Sequence, residues 1–166
     1  MKKFFFFDLD GVILNSMPYH AKAMNQACCL FGINISEDIV LNNEGAITYE
    51  LLEKIAESSN VKLTKEMYFE IISYHKKFFI ENYSKEVKPF DGIIDLLYKL
   101  KSFGKKLAIV TGSDKEIIDS DLPKEISNVV DVIITSDKIQ YRKPHPQPYQ
   151  KAQEILTAKK EESLAV

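Results

Sequence analysis

Four consecutive phenylalanines, Phe4 to Phe7, run directly into Asp8-Leu9-Asp10-Gly11. A short unbroken apolar run marks a strand covered on both faces, the pattern of a parallel sheet. We read that strand as Phe4 to Leu9. Side chains two apart on an extended strand project to the same side. Asp8 and Asp10 therefore share a side at its carboxyl end, where open α/β sheets bind ligands. Gly11 allows a sharp turn behind them. Two carboxylates this close repel and require a cation or a shared proton. Mg²⁺ suits them, because it takes oxygen ligands and bridges one or two carboxylates to a substrate phosphate. One carboxylate could attack phosphorus and form an aspartyl phosphate. The other could carry the proton to and from the reacting oxygens.

The rest of the chain changes character once. Apolar spacing predicts helices over 17–31, 48–57 and 64–83, with no strand in 16–88. From Lys88-Pro-Phe-Asp-Gly92 onward, strands and helices alternate. A helix is expected over 93–103 with Gly104 ending it, then a strand over 106–111. Ser113-Asp-Lys-Glu116 has the form of a capping box opening another helix. A strand over 129–135 follows, then a helix over 149–157. A fourth strand begins at Ser163-Leu-Ala-Val166. Such alternation implies a parallel sheet with right-handed crossovers. The predicted fold is α/β: a Rossmann-like core from 1–15 and 89–166, with a helical cap inserted at 16–88.

Charge narrows the function classes. Lys plus Arg number 22 and Asp plus Glu 24, a formal net charge of −2. That balance excludes a chain built to neutralise a nucleic-acid backbone, so no nucleic-acid partner is expected. No apolar run approaches the ~18 residues that span a bilayer, and no membrane partner is expected. The apolar run before Asp8 is also shorter than the roughly 7–15 residues of a secretory signal. Cys28 and Cys29 are sequence neighbours, which suits neither a staple nor a metal site. They read as two buried small hydrophobes in a reducing, cytoplasmic setting.

Three segments in order resemble the motifs of the haloacid dehalogenase (HAD) superfamily. Phe7-Asp8-Leu9-Asp10-Gly11-Val12-Ile13-Leu14-Asn15-Ser16 is similar to its first motif. Val110-Thr111-Gly112-Ser113 is similar to the second, and Lys143-Pro-His-Pro-Gln-Pro-Tyr149 to the third. The likeness is to members with a helical cap: sugar-phosphate phosphatases, phosphoglycolate phosphatase and β-phosphoglucomutase. It implies a Mg²⁺-dependent phosphatase acting on a small phosphorylated metabolite, with a sugar phosphate favoured, through an aspartyl-phosphate intermediate. Asp8 is then the nucleophile and Asp10 the acid/base, and both serve the metal, which is held by Asp8 and the carbonyl of Asp10, with the Leu9 backbone between them. Thr111, Gly112 and Ser113 would hold the phosphoryl oxygens, and Lys143 would neutralise their charge.

The same likeness makes His20, near the start of the first cap helix, a candidate for substrate contact or proton transfer. His75 and His145 read as structural. Gly45, in Asn43-Glu44-Gly45-Ala46-Ile47-Thr48, falls where related caps carry a substrate loop. That loop holds no Arg or Lys to grip a second phosphate. The departure favours a monophosphate phosphatase over a sugar phosphomutase. Arg142 stands where relatives often have Gly. The family's fourth motif, one or two acidic residues after the fourth strand, has no counterpart before Val166. The core is thus expected to be incomplete at its C-terminal side, with the Phe4–Phe7 strand left with an unpaired edge and a monomer or weak dimer in solution. Weak Mg²⁺ binding and low activity are expected of this chain, and a catalytically impaired binding module is the alternative.

Overall fold

A computed structural model describes residues 1–43 and 47–166. In chain order the elements are β1 (Phe4–Phe7), α1 (Met17–Cys29), α2 (Glu37–Asn42), α3 (Tyr49–Ser58), α4 (Lys65–Phe78), α5 (Ile93–Ser102), β2 (Lys106–Val110), α6 (Lys115–Asp121), α7 (Lys124–Val129), β3 (Val132–Ile134), α8 (Gln147–Leu156) and β4 (Ser163–Ala165). They form two compact units, one of Met1–Asn15 with Lys88–Val166, the other of Ser16–Val87.

The first unit is built on a parallel sheet of order β3-β2-β1-β4. β1 pairs with β2 from Phe4 opposite Lys106 to Phe7 opposite Ile109. Leu107, Ala108, Ile109 and Val110 are all fully buried, as expected for a strand with helices on both faces. On one face Phe6, Ala108, Val110 and Ile134 pack with Ala152 of α8. β4 corrects one expectation. It pairs with β1 from Phe4 opposite Ser163 to Phe6 opposite Ala165. The Val166 carbonyl also accepts the Asp8 N–H at 3.0 Å. The edge of β1 is therefore covered, because three residues suffice to satisfy its backbone groups.

β3 is shorter than its apolar run. Pro123 precedes a helical turn that continues to Val129. Strand geometry resumes only after Asp131, whose carboxylate accepts the Leu107 N–H at 2.8 Å and both Lys101 and Lys106.

The second unit is helical among the described residues. Ser36, Thr48 and Thr64 cap α2, α3 and α4, each accepting an N–H three residues on. α2 escapes the sequence reading because it is short and buries only Val40. Met24, Ile33, Ile35, Leu52 and Ile71 are the large buried side chains of its core. The helix expected over 64–83 breaks at Phe78, where one wider π turn covers Phe79–Tyr83. The wide turn carries Phe79 into the interior, fully buried and stacked on His20 with ring centroids 3.9 Å apart. Cys28 is buried as expected, but Cys29 is exposed. Adjacent residues on a helix face different ways. Burial raises the Cys28 thiol to about 12, as does Cys29 beside it, so it is inert.

Candidate active site

The topology places a crevice before any side chain is considered. β1, β2 and β3 step in one direction, and β4 returns on the other side of β1. The strand order thus reverses at β1, and ligands in open α/β sheets bind outside the carboxyl ends at such a point. Asp8 lies there, one residue past the register pair Phe7–Ile109.

The turn after β1 is held by one carbonyl. Leu9 O accepts the N–H groups of Val12, Ile13 and Leu14 at 3.3, 2.9 and 2.9 Å. Gly11, at φ 76°, supplies the left-handed step. Leu9 N–H donates to Asp8 Oδ1 at 2.8 Å. Both polar groups of Leu9 are thereby engaged within the strand end, and its side chain is fully buried.

Lys143 comes from the loop before α8. Its ammonium contacts Asp8 Oδ2 directly and donates to the Val110 carbonyl at 3.3 Å. Asp8 therefore receives a backbone N–H on one oxygen and a cation on the other. Asp10 is held from the segment just after β2. Ser113 Oγ donates to Asp10 Oδ2 at 2.8 Å, and Thr111 Oγ1 donates to the same oxygen at 3.3 Å. Ser113 N–H in turn donates to Thr111 Oγ1 at 3.0 Å. Thr111 and Ser113 are buried, while Gly112 between them is exposed.

This arrangement corrects the capping box. The N-cap of α6 is Asp114, whose extended backbone lets Oδ1 accept Ile117 N–H at 3.2 Å. Ser113 is left to face Asp10. Asp137 adds a second acceptor at the same helix start, taking Lys115 N–H at 3.0 Å. The sequence reading overlooked it, although an acid just past a strand is a common helix-end partner.

Asp121 was overlooked as well. It ends α6, is buried, and neither carboxyl oxygen has a hydrogen-bond partner among the described residues. Burial, and then the negative charge of Asp10, push its pKa up to about 7. The signal was present in the sequence: Asp121 follows the buried Ile117 by four positions, so it shares the buried face of α6.

The other candidates each belong to one of the two units. His20 belongs to the Ser16–Val87 unit, where its Nδ1 is 3.2 Å from Nε2 of His75. His145 Nδ1 accepts Gln147 N–H at 3.1 Å, closing the turn before α8. Arg142 is exposed. Gly45 lies outside the described residues.

The oxygens at the end of β1 are hard donors of the kind Mg²⁺ takes. No cluster of three or more His, Cys, Asp or Glu converges among the described residues. The Asp8 carboxylate and the Asp10 backbone carbonyl still fit Mg²⁺, which commonly keeps several waters and uses substrate phosphate oxygens as further ligands.

The family model for haloacid dehalogenase-like hydrolases matches residues 5–166. The chain belongs to this family. It is an enzyme of the family's phosphatase and phosphotransferase kind. Pyrophosphatase PpaX of Bacillus mycoides is 29% identical to this HAD chain over 162 residues, covering 96% of it and 72% of the relative. The structure of a hydrolase from Pseudomonas syringae superposes with a TM-score of 0.84 at 22% identity, covering 99% of this chain and 75% of the other. One assigned as a β-phosphoglucomutase from Bacteroides vulgatus gives 0.77 at 26% identity, covering 99% and 67%. No helix among the described residues of the HAD chain is long and apolar enough to cross a membrane.

Proposed function

We propose that the chain hydrolyses a small phosphomonoester through a phosphoryl group carried on Asp8. The observation that carries this reading is the pairing of the Lys143 ammonium with the Asp8 carboxylate at the end of β1. A lone exposed lysine has no need of that position. A lysine on a nucleophilic carboxylate lowers repulsion between it and an incoming phosphate, and then holds the charge that develops on the transferring group.

The chemistry proceeds in two steps. An Asp8 carboxylate oxygen attacks phosphorus, the bond from phosphorus to the leaving oxygen breaks, and Asp10 gives that oxygen its proton. Asp10 then takes a proton from water. The water oxygen attacks phosphorus, the bond to Asp8 breaks, and inorganic phosphate departs. Thr111 supports the first step. Its bond to Asp10 is long at 3.3 Å, so its hydroxyl can turn to a phosphoryl oxygen at little cost. The backbone N–H of Gly112 would donate to the same oxygens. Asp8 through its carboxylate and Asp10 through its backbone carbonyl would hold Mg²⁺, which supplies charge neutralisation to the phosphoryl oxygens when bound.

For the substrate we favour a sugar phosphate or similar small phosphorylated metabolite. Inorganic pyrophosphate is the second reading, favoured by the relatives named for it. Phosphomutase activity ranks lower, since residues 43–48 hold no Arg or Lys. The test is phosphate release from a panel of sugar phosphates, phosphoglycolate and pyrophosphate, with Mg²⁺ or with EDTA. Mg²⁺-dependent release that vanishes in Asp8→Asn is the expected result. Release at equal rates by parent and Asp8→Asn, or unchanged by EDTA, would overturn the proposal.

A further inference from the structure

We propose that Ser113 is a positioning residue for the Asp10 carboxyl group rather than a phosphate ligand. The inference deepens the phosphatase reading and rests on it. Ser113 Oγ is 2.8 Å from Asp10 Oδ2, the shorter of the two hydroxyl bonds described at that oxygen. A hydroxyl has one proton to donate, and Ser113 spends it on Asp10. Ser113 thereby fixes Oδ2 even when Thr111, whose bond to that oxygen is longer at 3.3 Å, turns to a phosphoryl oxygen. A carboxyl group fixed in this way is aimed in one direction, which is what proton transfer to a leaving oxygen requires.

Ser113 is itself clamped. It is buried, its N–H donates to Thr111 Oγ1 at 3.0 Å, and its carbonyl accepts Ser136 N–H at 3.0 Å from the segment after β3. Asp114 and Asp137 hold the adjoining start of α6 through Ile117 and Lys115 N–H. The hydroxyl therefore keeps one rotamer and one partner. A phosphate ligand needs the opposite, a donor able to face the crevice.

The two roles separate through the leaving group. The proton from Asp10 matters for alkoxide-like and phenolate leaving groups and hardly for 2,4-dinitrophenolate, which departs without one. A phosphate ligand matters equally for all. The experiment measures kcat/KM, which contains the first chemical step, for 2,4-dinitrophenyl, 4-nitrophenyl and phenyl phosphate in parent, Ser113→Ala, Ser113→Thr and Asp10→Asn. Ser113→Ala should lose roughly 10- to 100-fold on phenyl phosphate, part of the usual general-acid contribution. It should lose less than about 3-fold on the dinitrophenyl ester, in the same order as Asp10→Asn. Ser113→Thr, which keeps the hydroxyl, should recover most of the loss. An equal loss across the three esters, or no loss, would overturn the positioning role. Melting curves identify a variant that has merely lost its fold, and Ser113→Thr then decides. Asp8→Asn is the separate control: if it still turns over, the phosphoryl-enzyme reading fails, whatever Ser113 does.

Discussion

Replacing Lys143 by Met removes the ammonium from Asp8 while keeping a chain of similar length. The side chains of Lys143 and Asp8 are 26% and 33% exposed, so the pair lies between the buried and surface limits. Two unit charges about 4 Å apart interact by roughly 4 kcal/mol at an effective dielectric of about 20. A fully exposed pair is worth about 1 kcal/mol or less. The donor also faces charge that grows in the transition state, where loss of one preorganised donor costs about 2.7–4 kcal/mol. With partial solvent screening, we expect a loss of about 2–3 kcal/mol, or roughly 30- to 150-fold in kcat at about 1.4 kcal/mol per tenfold. Lys143→Arg should fall between parent and Lys143→Met. It restores the charge, but a planar fork replaces the point charge that reaches both Asp8 and the Val110 carbonyl. The assay is saturation kinetics on an aryl phosphate with Mg²⁺, with melting curves on each variant. A kcat for Lys143→Met within about threefold of the parent would refute the assignment of Lys143 to the developing charge.

Asp121 links stability to pH. Its folded pKa, about 7, lies above the ordinary carboxylate value of 3.8. The carboxyl therefore favours the folded state fully below pH 3.8, and that contribution is lost as pH rises to about 7. A shift of this size corresponds to at most about 4 kcal/mol. Asp121→Asn should flatten the fall in melting temperature between pH 4 and 7, and an unchanged slope would exclude the neutral acid. In the Ser16–Val87 unit, Phe79→Ala removes a fully buried ring stacked on His20. It should cost about 3–5 kcal/mol in denaturant unfolding, whereas a loss under 1 kcal/mol would mean that the π turn does not anchor the unit.

Much of this protein is written in local patterns. The Phe4–Phe7 run, the two carboxylates after it, and the alternation of strands and helices from residue 93 depend only on neighbours in sequence. Burial on two faces, side-chain parity and turn chemistry act over a few residues, so Asp8 and Asp10 were legible as a pair, while Thr111 and Lys143 entered only through the resemblance of their motifs. Elements with a weak local signal were not, namely α2 with its single buried Val40, α7, and the π turn that ends α4. Those depend on what each segment packs against.

Partner choice was decided by the tertiary structure alone. Ser113 looks like a helix cap in sequence, yet register and the turn at Gly11 bring Asp10 within 2.8 Å of it, and Asp114 takes the cap. Three residues of β4 close the side of β1 that sequence reasoning left open. Asp121 becomes a raised acid only because α6 buries it in the field of Asp10. Residue types and spacing determine which chemistry is available. Hydrogen bonding and desolvation act between groups a hundred residues apart in the chain, and only folding decides which of them meet.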